Sequence, residues 1–174
     1  MNSRNDYLTN GQDLESIASS CTTCFKYLQH GKNIISYTQL PHLFIAPHRR
    51  KVSAYCVNTK LSHHLSGHWI TLILFDRQVL LCDGLNYVQK RLDVMENIQT
   101  FCNKNKCKLI VMQLRSQEND SSKCGFLALA FIAKFHSLSK KKFYNLQKVF
   151  KRHSIKNNEK FLLKFAEKHF HFQI

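Results

Sequence analysis

The chain has 174 residues, 44% of them apolar and thirteen of them Phe, enough for a sizeable core, and a single domain over residues 1–174 is predicted. Its 26 Lys and Arg against 11 Asp and Glu give a formal net charge of +15, which favours sequence-independent attraction to a polyanion, nucleic acid first. The start, Met1-Asn2-Ser3-Arg4-Asn5-Asp6-Tyr7, lacks the apolar stretch of a secretory signal, and the longest apolar run, Gly125 to Ala133, is about half of what spans a bilayer, so neither export nor a membrane helix is expected.

In chain order, Leu14, Ile17, Ala18, Cys21, Phe25 and Leu28 fall at helical spacing and Gly31 follows as a stop, which predicts a helix over 12–30. Val52, Ala54, Cys56 and Val57 suggest a short strand. His68 to Phe75 and Val79 to Cys82, separated by Asp76-Arg77-Gln78, read as a β-hairpin. A helix from Leu92 to Phe101, a strand from Lys108 to Leu114 and an all-round apolar helix from Gly125 to His136 follow, then helices over 143–152 and 158–171. With five Gly and two Pro there is no linker-like segment and no repeat. The mixture predicts an α+β fold, a central mixed sheet flanked by helices, rather than βαβ alternation.

Seven cysteines in a chain without a signal argue for reduced thiols, and an odd number leaves at least one unpaired within the chain. Cys124 stands out because it opens the most apolar helix, where the helix dipole and unpaired N–H groups stabilise a thiolate and its own N–H can face an oxyanion. Asn119 to Ser122 are capping residue types, and Gly125 lets a substrate backbone approach. An inert core thiol would occupy the same place, so the nucleophile reading needs a base held by a third group.

His68 and Asp83 supply that pair. A turn centred on Asp76-Arg77 sets position 70 opposite 83, which places Asp83 diagonally across from His68 on one sheet face, roughly 7–8 Å away along the backbone and within side-chain reach. A slip of one residue would separate them. Gln117, just before the turn into the helix, can add a second oxyanion donor. Trp69 is either core or a wall of the cleft.

The order His68-Trp69, Asp83, Gln117 and Cys124-Gly125 resembles the adenovirus endopeptidase (adenain) family and, more distantly, the SUMO-specific proteases. Seven positions from Gln117 to Cys124, with Asn119 between, look like adenain rather than the shorter, usually Asp-Cys-Gly, ending of the SUMO proteases; here Lys123 precedes the cysteine. Ala46-Pro47-His48 and Ala54-Tyr55-Cys56-Val57-Asn58-Thr59 are similar to the segments ahead of the adenain histidine, and the likeness covers roughly residues 12–136. It implies a fold related to papain by rearranged chain order and a monomeric viral endopeptidase of the host nucleus and virion. That enzyme matures virion precursor proteins after hydrophobic-x-Gly-x type sites. It also implies cofactors other than a metal: a basic viral activator peptide attached by disulfide, and viral DNA along which the enzyme travels. Cys107, ten positions before Gln117, is one residue from the family's attachment cysteine, with Cys102 as competitor. A shorter C-terminus and a tighter hairpin depart from the family, which keeps Asp76 as a substitute for Asp83.

Two other readings stay open: a deconjugase for ubiquitin-like modifiers, and a non-enzymatic basic nucleic-acid-binding protein. Cys21-Thr22-Thr23-Cys24 has metal-ligand spacing but lacks a second matching pair, which argues against zinc. His48-Arg49-Arg50-Lys51, Lys104-Asn105-Lys106-Cys107-Lys108, Lys140-Lys141-Lys142 and the stripe Lys160, Lys164, Lys168 are candidate phosphate contacts. Eleven basic residues lie between Lys134 and Ile174 against Glu159 and Glu167.

Overall fold

The computed structural model describes residues 11–19, 32–45, 52–60, 67–119 and 121–170. Along them run α1 (Gly11–Ser19), β1 (Ile34–Ser36), a 3-10 helix (Tyr37–His42), β2 (Ser53–Asn58), β3 (Trp69–Phe75) and β4 (Gln78–Cys82). A 3-10 turn (Val88–Lys90), α2 (Leu92–Lys104), β5 (Lys108–Met112), α3 (Cys124–Ser137), α4 (Lys140–Arg152) and α5 (Ile155–Phe170) complete them. The five strands form one mixed sheet in chain order, with β1 parallel to β2, β4 parallel to β5, and antiparallel pairing between β2, β3 and β4. This is an α+β architecture whose helices cover both faces of the sheet.

β3 explains why. All seven of its residues are buried and all but Thr71 are apolar, a run that only a sheet covered on both sides can accommodate. Trp69, Ile73 and Phe75 pack in the core shared with α1, α3, α4 and α5, whereas Ile70, Leu72 and Leu74 pack with Val94, Ile98 and Phe101 of α2. Each such side chain contributes roughly 1.5–3 kcal/mol on burial. Thr71 points toward α3 and satisfies its hydroxyl on the Ala128 carbonyl at 2.8 Å, which pins α3 to the centre of the sheet.

The hairpin turn is tight. Phe75 pairs with Gln78 and Thr71 with Cys82, and the two residues between, Asp76 and Arg77, both adopt positive φ (47° and 58°). That conformation matches the right-handed twist of the flanking strands. The resulting register sets 70 opposite 83.

Several expectations shift. The first helix ends at Ser19 among the described residues, and the rest of the predicted 12–30 span lies outside them. α4 begins at Lys140 rather than 143, because the Ser139 hydroxyl accepts the Lys142 N–H at 3.4 Å and the three lysines serve as a first helical turn. β1 and the two 3-10 segments had no expectation. Three residues are too few to display a period, and the 37–42 helix is held by a capping box in which Ser36 and Gln39 exchange bonds.

Candidate active site

The site is assembled where β3 begins, β4 ends and α3 starts. His68 immediately precedes β3, and its Nε2–H donates to Asp83 Oδ1 at 2.6 Å. Cys124 lies close enough to act electrostatically on the His68 ring, and its thiol donates to the Gly67 carbonyl at 3.5 Å. The Asp83 side chain is 3% exposed and that of His68 11%, so the pair is screened little by solvent.

Asp83 is held by the backbone that follows it. Its Oδ1 accepts the Leu85 N–H at 2.9 Å, and its Oδ2 accepts the Tyr87 and Val88 N–H groups at 2.7 and 2.8 Å. Asn86 takes positive φ (50°) to close this loop around the carboxylate. Burial alone would raise the Asp83 pKa, but the His68 hydrogen bond and charge, followed by these N–H donors, bring it below the ordinary carboxylate value. Burial likewise opposes the charged form of His68, and the hydrogen bond to Asp83 together with the influence of Cys124 and the Asp83 charge outweighs it, raising the imidazole to about 9. Asp76, the alternative acid, sits exposed at the opposite end of the hairpin and pairs with Lys140. It takes no part.

Cys124 is the first residue of α3 and is 8% exposed. Lys123 occupies the N-cap position and its own side chain makes no capping bond, so the helix end at the thiol stays positive apart from the Ser121 hydroxyl that accepts the Lys123 N–H. Burial pushes the other described thiols upward, Cys56 and Cys102 to about 12, with Cys82 and Cys107 also raised. Only Cys124 among the described cysteines meets the imidazole.

Gln117 is buried at 2% exposure and is fixed at both ends. Its backbone N–H donates to the Gly84 carbonyl at 3.0 Å and its Nε2 to the Ser121 carbonyl at 2.8 Å, which leaves its second amide hydrogen uncommitted. Its Oε1 is buried with no partner among the described residues, a cost of about 1–3 kcal/mol that does nothing for stability. Gly84, next to Asp83, passes beneath it so closely that a Cβ there would stand 3.2 Å from Gln117 Cβ. The acid-bearing strand end and the Gln117 loop are therefore packed directly together.

Other expected residues resolve differently. Trp69 is 2% exposed and is core. Cys107 is half-buried at the start of β5, its thiol donating to the Asn105 carbonyl at 3.3 Å, with Cys102 buried beside it. Cys21, Cys24 and His48 to Lys51 lie outside the described residues. Lys140 to Lys142, Lys160, Lys164 and Lys168 face outward as exposed or partly exposed side chains, whereas half-buried Lys134 is occupied over the Phe161 and Phe165 rings at 4.4 and 3.7 Å.

Sequence reasoning missed four contributors. Tyr87, 44% exposed, stands edge-on to His68 with ring centroids 6.5 Å apart. Gly67 is packed so tightly that a Cβ would lie 2.4 Å from Asn58 Oδ1. Asn158 and Glu159 of α5 are buried and bond the loop before Cys124 from 38 to 43 positions away in sequence, a separation that no local pattern reveals. Among the described residues no three His, Cys, Asp or Glu are grouped to hold a metal ion, and no helix is long and apolar enough to cross a membrane. No family model and no curated protein matches this chain.

Proposed function

We propose that the chain is a cysteine endopeptidase of the adenain type. The observation that carries this reading is the grouping of Asp83, His68 and Cys124, with a 2.6 Å hydrogen bond between one ring nitrogen and the carboxylate and the thiol near enough to help raise the imidazole pKa. Charged Asp83 stabilises the imidazolium and selects the tautomer, so the Cys124 proton passes to His68 and the thiolate sulfur attacks a peptide carbonyl. The free amide hydrogen of Gln117 and the Cys124 backbone N–H receive the developing oxyanion. As the C–N bond breaks, His68 returns its proton to the leaving amine. Water, deprotonated by His68, then hydrolyses the thioester and frees Cys124.

Within the same reading, the substrates are virion precursor proteins cut after hydrophobic-x-Gly-x type sequences, in the host nucleus and virion. DNA stimulates the enzyme through its basic surface, a role supported by the outward-facing lysines of α4 and α5. A disulfide-linked activator peptide at Cys107 has weaker support, since burial raises that thiol and so lowers its thiolate fraction at neutral pH.

The test is cleavage of fluorogenic peptides carrying Gly near the scissile bond by the purified protein. Cys124→Ala is expected to abolish turnover while leaving the fold intact. Undiminished activity would sink the assignment. Reaction with a folded modifier-aldehyde in preference to short peptides would redirect it to a ubiquitin-like deconjugase, and inertness of Cys124 toward alkylators at neutral pH to a non-enzymatic nucleic-acid-binding protein.

A further inference from the structure

The loop between β5 and α3 carries Gln117 and delivers Cys124, yet its anchor comes from the far end of the chain. Glu159, on α5 and 8% exposed, accepts the Glu118 N–H through Oε2 at 2.8 Å and the Ser121 hydroxyl through Oε1 at 2.9 Å. Ser121 passes the constraint on in two directions. Its Oγ accepts the Lys123 N–H at 3.3 Å, one residue before the nucleophile, and its carbonyl accepts the Gln117 side-chain amide at 2.8 Å. Its N–H closes the turn onto the Glu118 carbonyl at 3.0 Å. Next to Glu159, Asn158 donates to the Arg115 carbonyl at 3.1 Å and to the Phe150 carbonyl at 2.9 Å, which ties the loop's start and the end of α4 to the same helix.

We infer that Glu159 is a positioning residue for the oxyanion donors: through Ser121 it sets the direction of the Gln117 amide and the entry of the chain into α3 at Cys124. This inference rests on the acyl-transfer reading of the site. A buried carboxylate that spends both oxygens on one short loop is costly unless that loop must be held still, because each oxygen has given up water. The loop's other neighbours do not supply the same restraint. Gly84 holds the backbone of Ser116 and Gln117 at 2.8 and 3.0 Å, but among the described residues only Ser121 bonds the Gln117 side chain.

Two reactions of the same thiol separate positioning from general damage. Alkylation by iodoacetamide forms a sulfur–carbon bond and expels iodide, so it needs the thiolate of Cys124 but no oxyanion site; peptide hydrolysis needs both. Glu159→Gln, which keeps volume and one acceptor, is expected to lower kcat by about 10- to 100-fold, the scale of a displaced oxyanion donor. KM and the Cys124 alkylation rate should stay within about twofold. Ser121→Ala, which removes a half-buried hydroxyl and endangers the fold less, is expected to show the same split at smaller size and decides the matter if Glu159→Gln does not fold. An active wild type with unchanged kcat in folded Glu159→Gln, or alkylation falling in step with hydrolysis, would overturn the inference alone. A wild type whose Cys124 is alkylated but which cleaves no peptide would overturn the reading of the site and this inference together.

Discussion

Asp83 is the residue on which the site turns, and its two oxygens serve four donors: the His68 ring and the backbone of Leu85, Tyr87 and Val88. An amide in its place offers one accepting oxygen and would set an NH2 group against at least one of those donors. Asp83→Asn is therefore expected to lower kcat by at least ~10²-fold through the wrong tautomer of His68 and to cost about 1–3 kcal/mol through an unpaired buried donor. Peptide turnover and chemical denaturation measure the two losses separately. The His68 pKa carries a second expectation. Because folding raises it from an ordinary 6.5 to about 9, the stabilisation from its imidazolium is complete below about pH 6.5 and is lost as pH climbs to about 9. Asp83 acts with opposite sign, its folded pKa being depressed, so its contribution is present above its ordinary 3.8 and is lost as pH falls below it. The stability difference between wild type and His68→Ala, followed by denaturant midpoint, should shrink steadily between pH 6.5 and 9. A difference that stays flat across that window would contradict the charged-pair account.

At the scale of elements, the hairpin does the placing. Its I′-like turn and the burial of β3 on both faces allow one register, since a slip by one residue would turn Trp69, Ile73 and Phe75 toward α2 and bring Asp83 to the wrong face. The hairpin was legible in the sequence because two apolar runs flank the short polar stretch Asp76-Arg77-Gln78, whereas its register rested on a turn centred on Asp76-Arg77. The approach to β3 was not legible. Gly67 is required by the Asn58 amide, buried across the sheet and already accepting the Lys60 N–H at 2.9 Å. Gly67→Ala should displace the backbone at His68, with a stability loss of about 1–3 kcal/mol and a slower alkylation of Cys124, read by thermal melting and iodoacetamide kinetics. Unchanged kinetics would mean that the Asn58 side chain yields instead of the chain carrying His68. α5 was legible as a helix from its spacing, but its role was hidden. Asn158 and Glu159 read as polar residues on a basic helix, and only the docking of α5 against α3 turns them inward to the loop that precedes Cys124.

At the scale of the whole molecule, the candidate site and the lysines of the last two helices lie on different elements among the described residues. The site is built on the sheet and the start of α3, whereas the lysines of α4 and α5 face solvent, with Glu159 withdrawn into the protein. Duplex DNA binding measured by fluorescence anisotropy should weaken steeply as salt rises. Replacing Lys160, Lys164 and Lys168 together by Ala should make the log K against log salt slope shallower by up to about 0.9 for each phosphate that is no longer neutralised. An unaltered slope would place DNA elsewhere on the surface. The sequence by itself determined the α+β character, the hairpin, the placing of Cys124 at the mouth of an apolar helix and the excess of positive charge, because these follow from local periodicity, turn chemistry and composition. Only the tertiary structure decided that Asp83 rather than Asp76 meets His68, that Trp69 is core, and that Glu159 of α5 bonds the loop that carries Gln117. Each of those depends on which distant segments are buried against one another, and burial is a property of the packed chain that local sequence does not carry.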